Sequence, residues 1–174
     1  MAIHFVLGGA RSGKSAYAQR TAEAVAAAAR CTPVLIATAE ALDDEMAARV
    51  AAHRRERGTH WKTIEVPVAL PQAIKDLPPR SCVVVDCLTL WLSNLLLRDS
   101  AIDSAVDDLI AALTGASGDL WLVSNEVGLG LVPETPLGRA FRDAAGRLHQ
   151  RLAAAADEVT LLVAGIPLIV KPQA

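Results

Sequence analysis

The chain has 174 residues, enough for one domain (residues 1–174) with a proper interior. Its net charge of −2 gives no electrostatic case for nucleic acid or a membrane surface, and no apolar stretch reaches the length of a membrane span. Hydrophobic residues make up 52% but aromatics only 3%, so the core must be built from Ala, Val, Leu and Ile, which suits a buried parallel sheet under Ala-rich helices.

Ile3 to Leu7 is a short apolar run that reads as a strand. It leads into Gly8-Gly9-Ala10-Arg11-Ser12-Gly13-Lys14-Ser15, which fits the phosphate-loop template G-x-x-x-x-G-K-[ST] at every fixed position. Ser15 to Arg30 then reads as a helix. Strand, Gly-rich loop and helix together aim backbone N–H groups and a positive helix end at a phosphate. In that setting Lys14 reaches the β- and γ-phosphates and the Ser15 hydroxyl coordinates Mg²⁺, so the chain is expected to bind a nucleoside triphosphate.

Five further segments read as strands: Pro33 to Ala37, Cys82 to Val85, Leu120 to Ser124, Val159 to Ala164 and Ile166 to Val170. The first four are apolar nearly throughout, as strands buried on both faces are. A Gly-Ile-Pro turn signal separates the last two, which predicts an antiparallel edge hairpin at the C-terminus. Helical patterns cover Asp43 to Arg57, Leu88 to Leu97, Asp103 to Leu113 and Leu137 to Ala156. In the last of these Leu137, Phe141, Ala145, Leu148 and Leu152 share a face. The alternation predicts a three-layer α/β fold of the P-loop NTPase (RecA-like) kind, with a mostly parallel sheet.

Asp86 closes the run Cys82-Val83-Val84-Val85. A carboxylate at that end of a buried strand suits Mg²⁺ or its water; its other reading is a cap for the next helix. Asn125-Glu126 also follows a buried strand, and both strand ends should open on the phosphate-loop edge of the sheet. Substrate contact and plain turn chemistry stand even there. Glu45, Arg49, His53 and Arg57 recur at four-residue steps, one polar helix stripe. His53 is then either a nucleophile flanked by arginines or part of a solvated face. His4, His60 and His149 have no partner motif, and Trp61, Trp91 and Trp121 read as packing residues, although Trp61 also suits stacking on a base or another flat ligand. Cys31, Cys82 and Cys87 lack zinc-like spacing and read as free thiols. No secretion signal is read before the first strand, so a cytoplasmic location is expected.

Taken in order, the phosphate loop, Ile36-Ala-Thr38, Leu42 to Arg49, His53, Trp61, Glu65, Asp86-Cys-Leu-Thr89, Ser124-Asn-Glu-Val-Gly-Leu-Gly130, Val132-Pro-Glu134 and Gly146 to Glu158 resemble one family over nearly the whole chain. It is the bifunctional adenosylcobinamide kinase/adenosylcobinamide-phosphate guanylyltransferase family of cobalamin biosynthesis. The resemblance implies two reactions. ATP or GTP phosphorylates the aminopropanol hydroxyl of adenosylcobinamide, and GTP then donates GMP to that phosphate through a GMP-histidine intermediate. The matching histidine is His53; the preceding position, where some members carry a second histidine, is Ala52. The resemblance also assigns Ile36, Ala37, Thr38, Arg54, Arg55, Glu56, Arg57, Glu65 and Asp86 to GTP binding, and a homotrimer as the assembly. Two other readings compete: a single-function P-loop small-molecule kinase with no covalent nucleotide, and a nucleotide-dependent switch protein. The kinase base is open between Asp86 and Glu126.

Overall fold

The computed structural model describes residues 1–40 and 60–173. The helix expected over Asp43 to Arg57 lies outside them. In chain order the described elements are β1 (Ile3–Gly8), α1 (Lys14–Ala29), β2 (Val34–Ala37), β3 (Lys62–Glu65), α2 (Leu70–Lys75), β4 (Cys82–Asp86), α3 (Leu88–Leu96), α4 (Ile102–Gly115), β5 (Asp119–Asn125), α5 (Pro136–Ala155), β6 (Glu158–Val163) and β7 (Ile166–Lys171). The strands form one sheet in the order β3-β2-β4-β5-β1-β6-β7. All neighbouring pairs are parallel except β6 and β7, which run antiparallel.

The period-2 alternation of a strand sorts the core into two halves. Phe5, Val83, Val85, Leu120 and Leu122 point to one face, where α2, α3, α4 and α5 cover them. Val6, Cys82, Val84, Trp121 and Val123 point to the other, under α1. Both faces being covered, the central strands carry apolar residues on both sides, which is why they read as unbroken runs. Helix α1 meets the sheet through Ala18, Ala22 and Ala26, all buried at i, i+4 spacing. Alanines there let the helix sit close to the strands. The opposite face uses larger side chains, among them Leu88, Leu109, Leu113 and Trp91. Burial of each such leucine stabilises the fold by roughly 1.5–3 kcal/mol. The Trp91 indole N–H is satisfied by the Val68 carbonyl at 2.8 Å.

The loops after β1 and β5 leave for opposite faces, to α1 and α5. Adjacent strands whose connections part in this way open a crevice at their carboxyl ends, where open α/β sheets bind ligands. Gly8 pairs with Asn125 across that crevice.

The expected edge hairpin is present, but its turn comes at Ala164–Gly165, with φ of 50° and 82°. Ile166 and Pro167 already belong to β7. Proline is tolerated there because β7 is an edge strand. Two elements are additional to the sequence reading. Strand β3 (Lys-Thr-Ile-Glu) is an edge strand that is largely exposed, so it has no apolar run to reveal it. Helix α2 has only six residues, too few for a periodic pattern. Leu137, expected on the buried face of α5, is 54% exposed at the first turn.

Candidate active site at the carboxyl edge of the sheet

Strand β1 delivers Gly8 to the sheet edge, and residues 9–13 curl back to start α1 at Lys14. The curl needs left-handed backbone at Gly13, where φ is +92°. Gly8 is required for a different reason: a Cβ there would lie 2.8 Å from the backbone carbonyl oxygen of Leu162 and would also meet the Ser12 side chain. Gly13 caps α1 without any side-chain hydrogen bond. The first N–H groups of the helix therefore point into the crevice at the positive end of the dipole. The hairpin turn braces the loop from behind, with the Gly165 N–H donating to the Ser12 carbonyl at 2.9 Å.

Two polar side chains are buried in this loop, Ser12 and Lys14. Lys14 Nζ donates to the Gly9 carbonyl at 2.8 Å. Burial lowers the Lys14 pKa from its ordinary 10.5, opposed by the nearby Cys87 and by the Asp86 carboxylate. Ser12 Oγ is buried with no hydrogen-bond partner among the described residues. A buried hydroxyl without a partner is costly. A buried ammonium, an orphan hydroxyl and a row of helix N–H groups in one loop together suit a polyanionic phosphate chain.

Asp86 ends β4 two strands away from β1. The N-cap of α3 is Cys87, and no side chain caps that helix, so Asp86 does not serve as its cap. Its backbone is clamped by Thr38: Thr38 N donates to the Asp86 carbonyl at 3.2 Å, and the Thr38 hydroxyl bonds both N and O of Cys87. Asn94 Nδ2 in turn donates to the Thr38 carbonyl at 2.9 Å. Burial pushes the Cys87 thiol up to about 11, so it stays protonated at neutral pH. Among the described residues no three His, Cys, Asp or Glu groups gather as a metal cage. Ser15 and Asp86 alone suit a hard divalent ion that completes its shell with phosphate oxygens and water, the habit of Mg²⁺.

Asn125 and Glu126 arrive at the same edge. The Glu126 N–H donates to the Gly8 carbonyl at 3.0 Å, which seats Glu126 against the start of the phosphate loop. The Asn125 N–H donates to Thr89 Oγ1 at 2.7 Å. Thr89 Oγ1 lies 3.2 Å from Ser124 Oγ, which lies 2.9 Å from His149 Nε2. His149 Nδ1 is 3.8 Å from Glu126 Oε2. Burial lowers the His149 pKa below its ordinary 6.5, with Glu126 pulling the other way. The sequence singles out Glu126, but no local signal links it to His149. The contacts span 25 and 36 residues, and only the sheet closes them.

The remaining expected residues divide. The Ile36 and Thr38 side chains are fully buried, and Ala37 is the more accessible member of that segment. Glu65 is exposed at the end of β3, in register with Ala37. Trp61 is buried under α1, its indole N–H on Glu23 Oε1 at 2.7 Å, which supports the packing reading. His4 stacks on Trp121 at 4.7 Å. His53, Arg54, Arg55, Glu56 and Arg57 lie outside the described residues.

A mostly parallel sheet with a phosphate loop between β1 and α1 defines a nucleotide-binding protein of the P-loop NTPase fold. Solved structures agree on the fold. The flagellar accessory protein FlaH from Methanocaldococcus jannaschii matches with a TM-score of 0.52 at 12% identity, covering 99% of this chain and 79% of that one. A solved ATPase domain matches with a TM-score of 0.57 at 14% identity, covering 99% and 77%. Sequence comparison is narrower: residues 4–170 match the cobinamide kinase/cobinamide phosphate guanyltransferase family, and the chain belongs to it. It is 46% identical to the bifunctional adenosylcobalamin biosynthesis protein CobP of Pseudomonas aeruginosa, over 95% of both chains. It is 44% identical to the protein of the same description, CobU, from Salmonella typhimurium, over 95% of this chain and 98% of that one. The protein is thus a bifunctional kinase and guanyltransferase of cobalamin biosynthesis.

Proposed function

We propose that one nucleotide site serves both reactions, with ATP or GTP as phosphoryl donor to adenosylcobinamide and GTP as guanylyl donor to its phosphate. The observation that carries this reading is the loop at the head of α1, with buried Lys14 and a Ser12 hydroxyl that has no partner among the described residues. Gly8, Gly9, Ala10, Arg11, Ser12, Gly13, Lys14 and Ser15 wrap the triphosphate tail through backbone N–H groups and the Lys14 ammonium. In phosphoryl transfer, Lys14 offsets the charge that builds on the leaving oxygen. In guanylyl transfer the same loop holds the departing pyrophosphate. Mg²⁺, held by Ser15 and Asp86, would neutralise phosphate charge when bound.

The assignment of the second reaction rests on His53. Its neutral imidazole attacks the α-phosphorus, the bond to pyrophosphate breaks, and the GMP-histidine is then attacked by the cobinamide phosphate. Arg54, Arg55, Glu56, Arg57, Glu65 and the Ile36-Ala37-Thr38 segment complete the GTP site, with Thr38 acting through the Cys87 and Asp86 backbone it clamps. We place the enzyme in the cytoplasm; no described helix is long and apolar enough to cross a membrane. We assign a homotrimer, a reading supported by the apolar edge strand β7, where Ile166 is 70% and Val170 61% exposed.

The test is GTP labelled at the α-phosphate, incubated with Mg²⁺ and either the parent protein or His53→Ala. Acid-labile, alkali-stable label on the parent and none on the variant is expected. No label on a folded, GTP-binding parent overturns the histidine route.

A further inference from the structure

The Glu126 carboxylate fixes the proton position at its end of the line from Asn125. A backbone N–H can only donate, so Thr89 Oγ1 accepts from Asn125. The Thr89 hydroxyl proton can then go to Ser124 Oγ or to the neighbouring Cys87 thiol. A neutral His149 ring that turns Nδ1 to the Glu126 carboxylate carries its proton there, which leaves Nε2 to accept from the Ser124 hydroxyl. The reverse direction would set a nitrogen lone pair against the carboxylate. Around the ring, Phe5 from β1 and Ser124 from β5 are uncharged, and among the described residues Glu126 is the charged group acting on it. Glu126 Oε1 is held separately by the Gly128 N–H. The separation of 3.8 Å at Nδ1 is longer than a hydrogen bond. Catalytic contacts commonly tighten once substrate is bound.

We propose that Glu126 is the catalytic residue that takes the proton from the acceptor hydroxyl in the kinase reaction, and that His149 is its positioning residue. The inference rests on the kinase half of the function above. Its position carries it: Glu126 is bonded through its backbone to Gly8 at the phosphate loop, partly open to the crevice, and backed by a buried polar line. Asp86, the other candidate, stands nearer the Lys14 charge and suits the metal. In the step, the acceptor O–H bond breaks and its proton passes to the Glu126 carboxylate. The freed oxygen pair forms a bond to the γ-phosphorus, the bond from γ-phosphorus to the bridging oxygen breaks, and the nucleoside diphosphate leaves with that pair. Glu126 afterwards releases the proton to water.

The two reactions of this enzyme separate the catalytic role from a structural one. The acceptor in guanylyl transfer is a phosphate, already ionised at neutral pH, and needs no base. Glu126→Gln should therefore lower kinase kcat by about 10²–10³-fold, with nucleotide KM within about threefold. Guanylyl transfer from GTP to cobinamide phosphate should stay within about threefold of the parent. His149→Leu should lower kinase kcat by about tenfold, and His149→Asn, which keeps a donor near the Nδ1 position, should recover part of it. Equal loss of both reactions in Glu126→Gln, or less than threefold loss of the kinase step, overturns the proposal. If Glu126→Gln does not fold, Glu126→Asp is read by the same ratio of the two rates. A parent that does not phosphorylate cobinamide at all fails the kinase reading instead, and the variants are not needed to see it.

Discussion

At the amino ends of the strands, aspartates are absorbed by the fold. Asp119 Oδ1 accepts the Ala2 N–H at 2.7 Å, and Asp157 Oδ2 accepts the Ile3 N–H at 2.7 Å. Each closes a backbone group where β1 enters the sheet. At the carboxyl ends the same chemistry is arranged around a crevice: Lys14 is buried, Ser12 Oγ lacks a partner among the described residues, and His149 holds its ring beside Glu126. The difference teaches that position along a parallel strand decides what a polar residue does. One end satisfies its own backbone, whereas the other keeps polar groups aimed at a ligand and accepts the stability cost.

The sharpest way to break this comparison is Lys14→Ala. Both reactions should fall by about 10³-fold, since the charge that offsets the transferring or leaving phosphates is gone. Urea unfolding should show an unchanged or raised midpoint, because burial already disfavours the ammonium. A collapse in stability would place Lys14 with the structural residues.

Asp157→Ala asks the opposite question. It leaves the buried Ile3 N–H without its acceptor and should cost about 1–3 kcal/mol of stability. Initial rates at 25 °C should stay within about twofold; a tenfold loss of kcat would show that the two ends are coupled.

His149 tests the carboxyl end through pH. Its folded pKa is lowered, so the unfolded chain binds a proton first as pH drops below 6.5. Stability is fully present above that value and declines toward the lowered folded pKa, by at most about 1.4 kcal/mol per pH unit for one proton. Denaturant titrations between pH 5 and pH 8 on the parent and His149→Leu should show a shallower slope in the variant. Identical slopes would remove His149 as a buried neutral histidine.

The smallest effect is expected at Thr135, which lies at the ligand end but only caps α5, its Oγ1 accepting the Gly138 N–H at 3.1 Å. Thr135→Ala should cost about 1 kcal/mol and leave both rates unchanged. A rate loss with intact stability would enlarge the site to include this turn.

Much of this was legible in the chain. The central strands announce themselves as apolar runs because both faces of the sheet are covered, and the phosphate loop announces itself because Gly8, Gly13 and Lys14 are fixed by backbone geometry and charge. Strand β3 and helix α2 were not legible: a four-residue exposed edge strand and a six-residue helix carry no period long enough to read. The hairpin was legible, but its turn was offset, since Ala164 adopts positive φ without a sequence signal for it.

By itself the sequence determined the layering, the phosphate loop, the carboxylates at the carboxyl ends of β4 and β5, and the family, because these depend on local pattern and on residue identity. The tertiary structure decided which of those carboxylates acquires a partner. His149 sits on a helix with no motif around it, and only the parallel pairing of β1 with β5, with α5 packed across one face, brings it to Ser124 and Glu126. Contacts of that kind join residues far apart in the chain, and local periodicity carries no record of them.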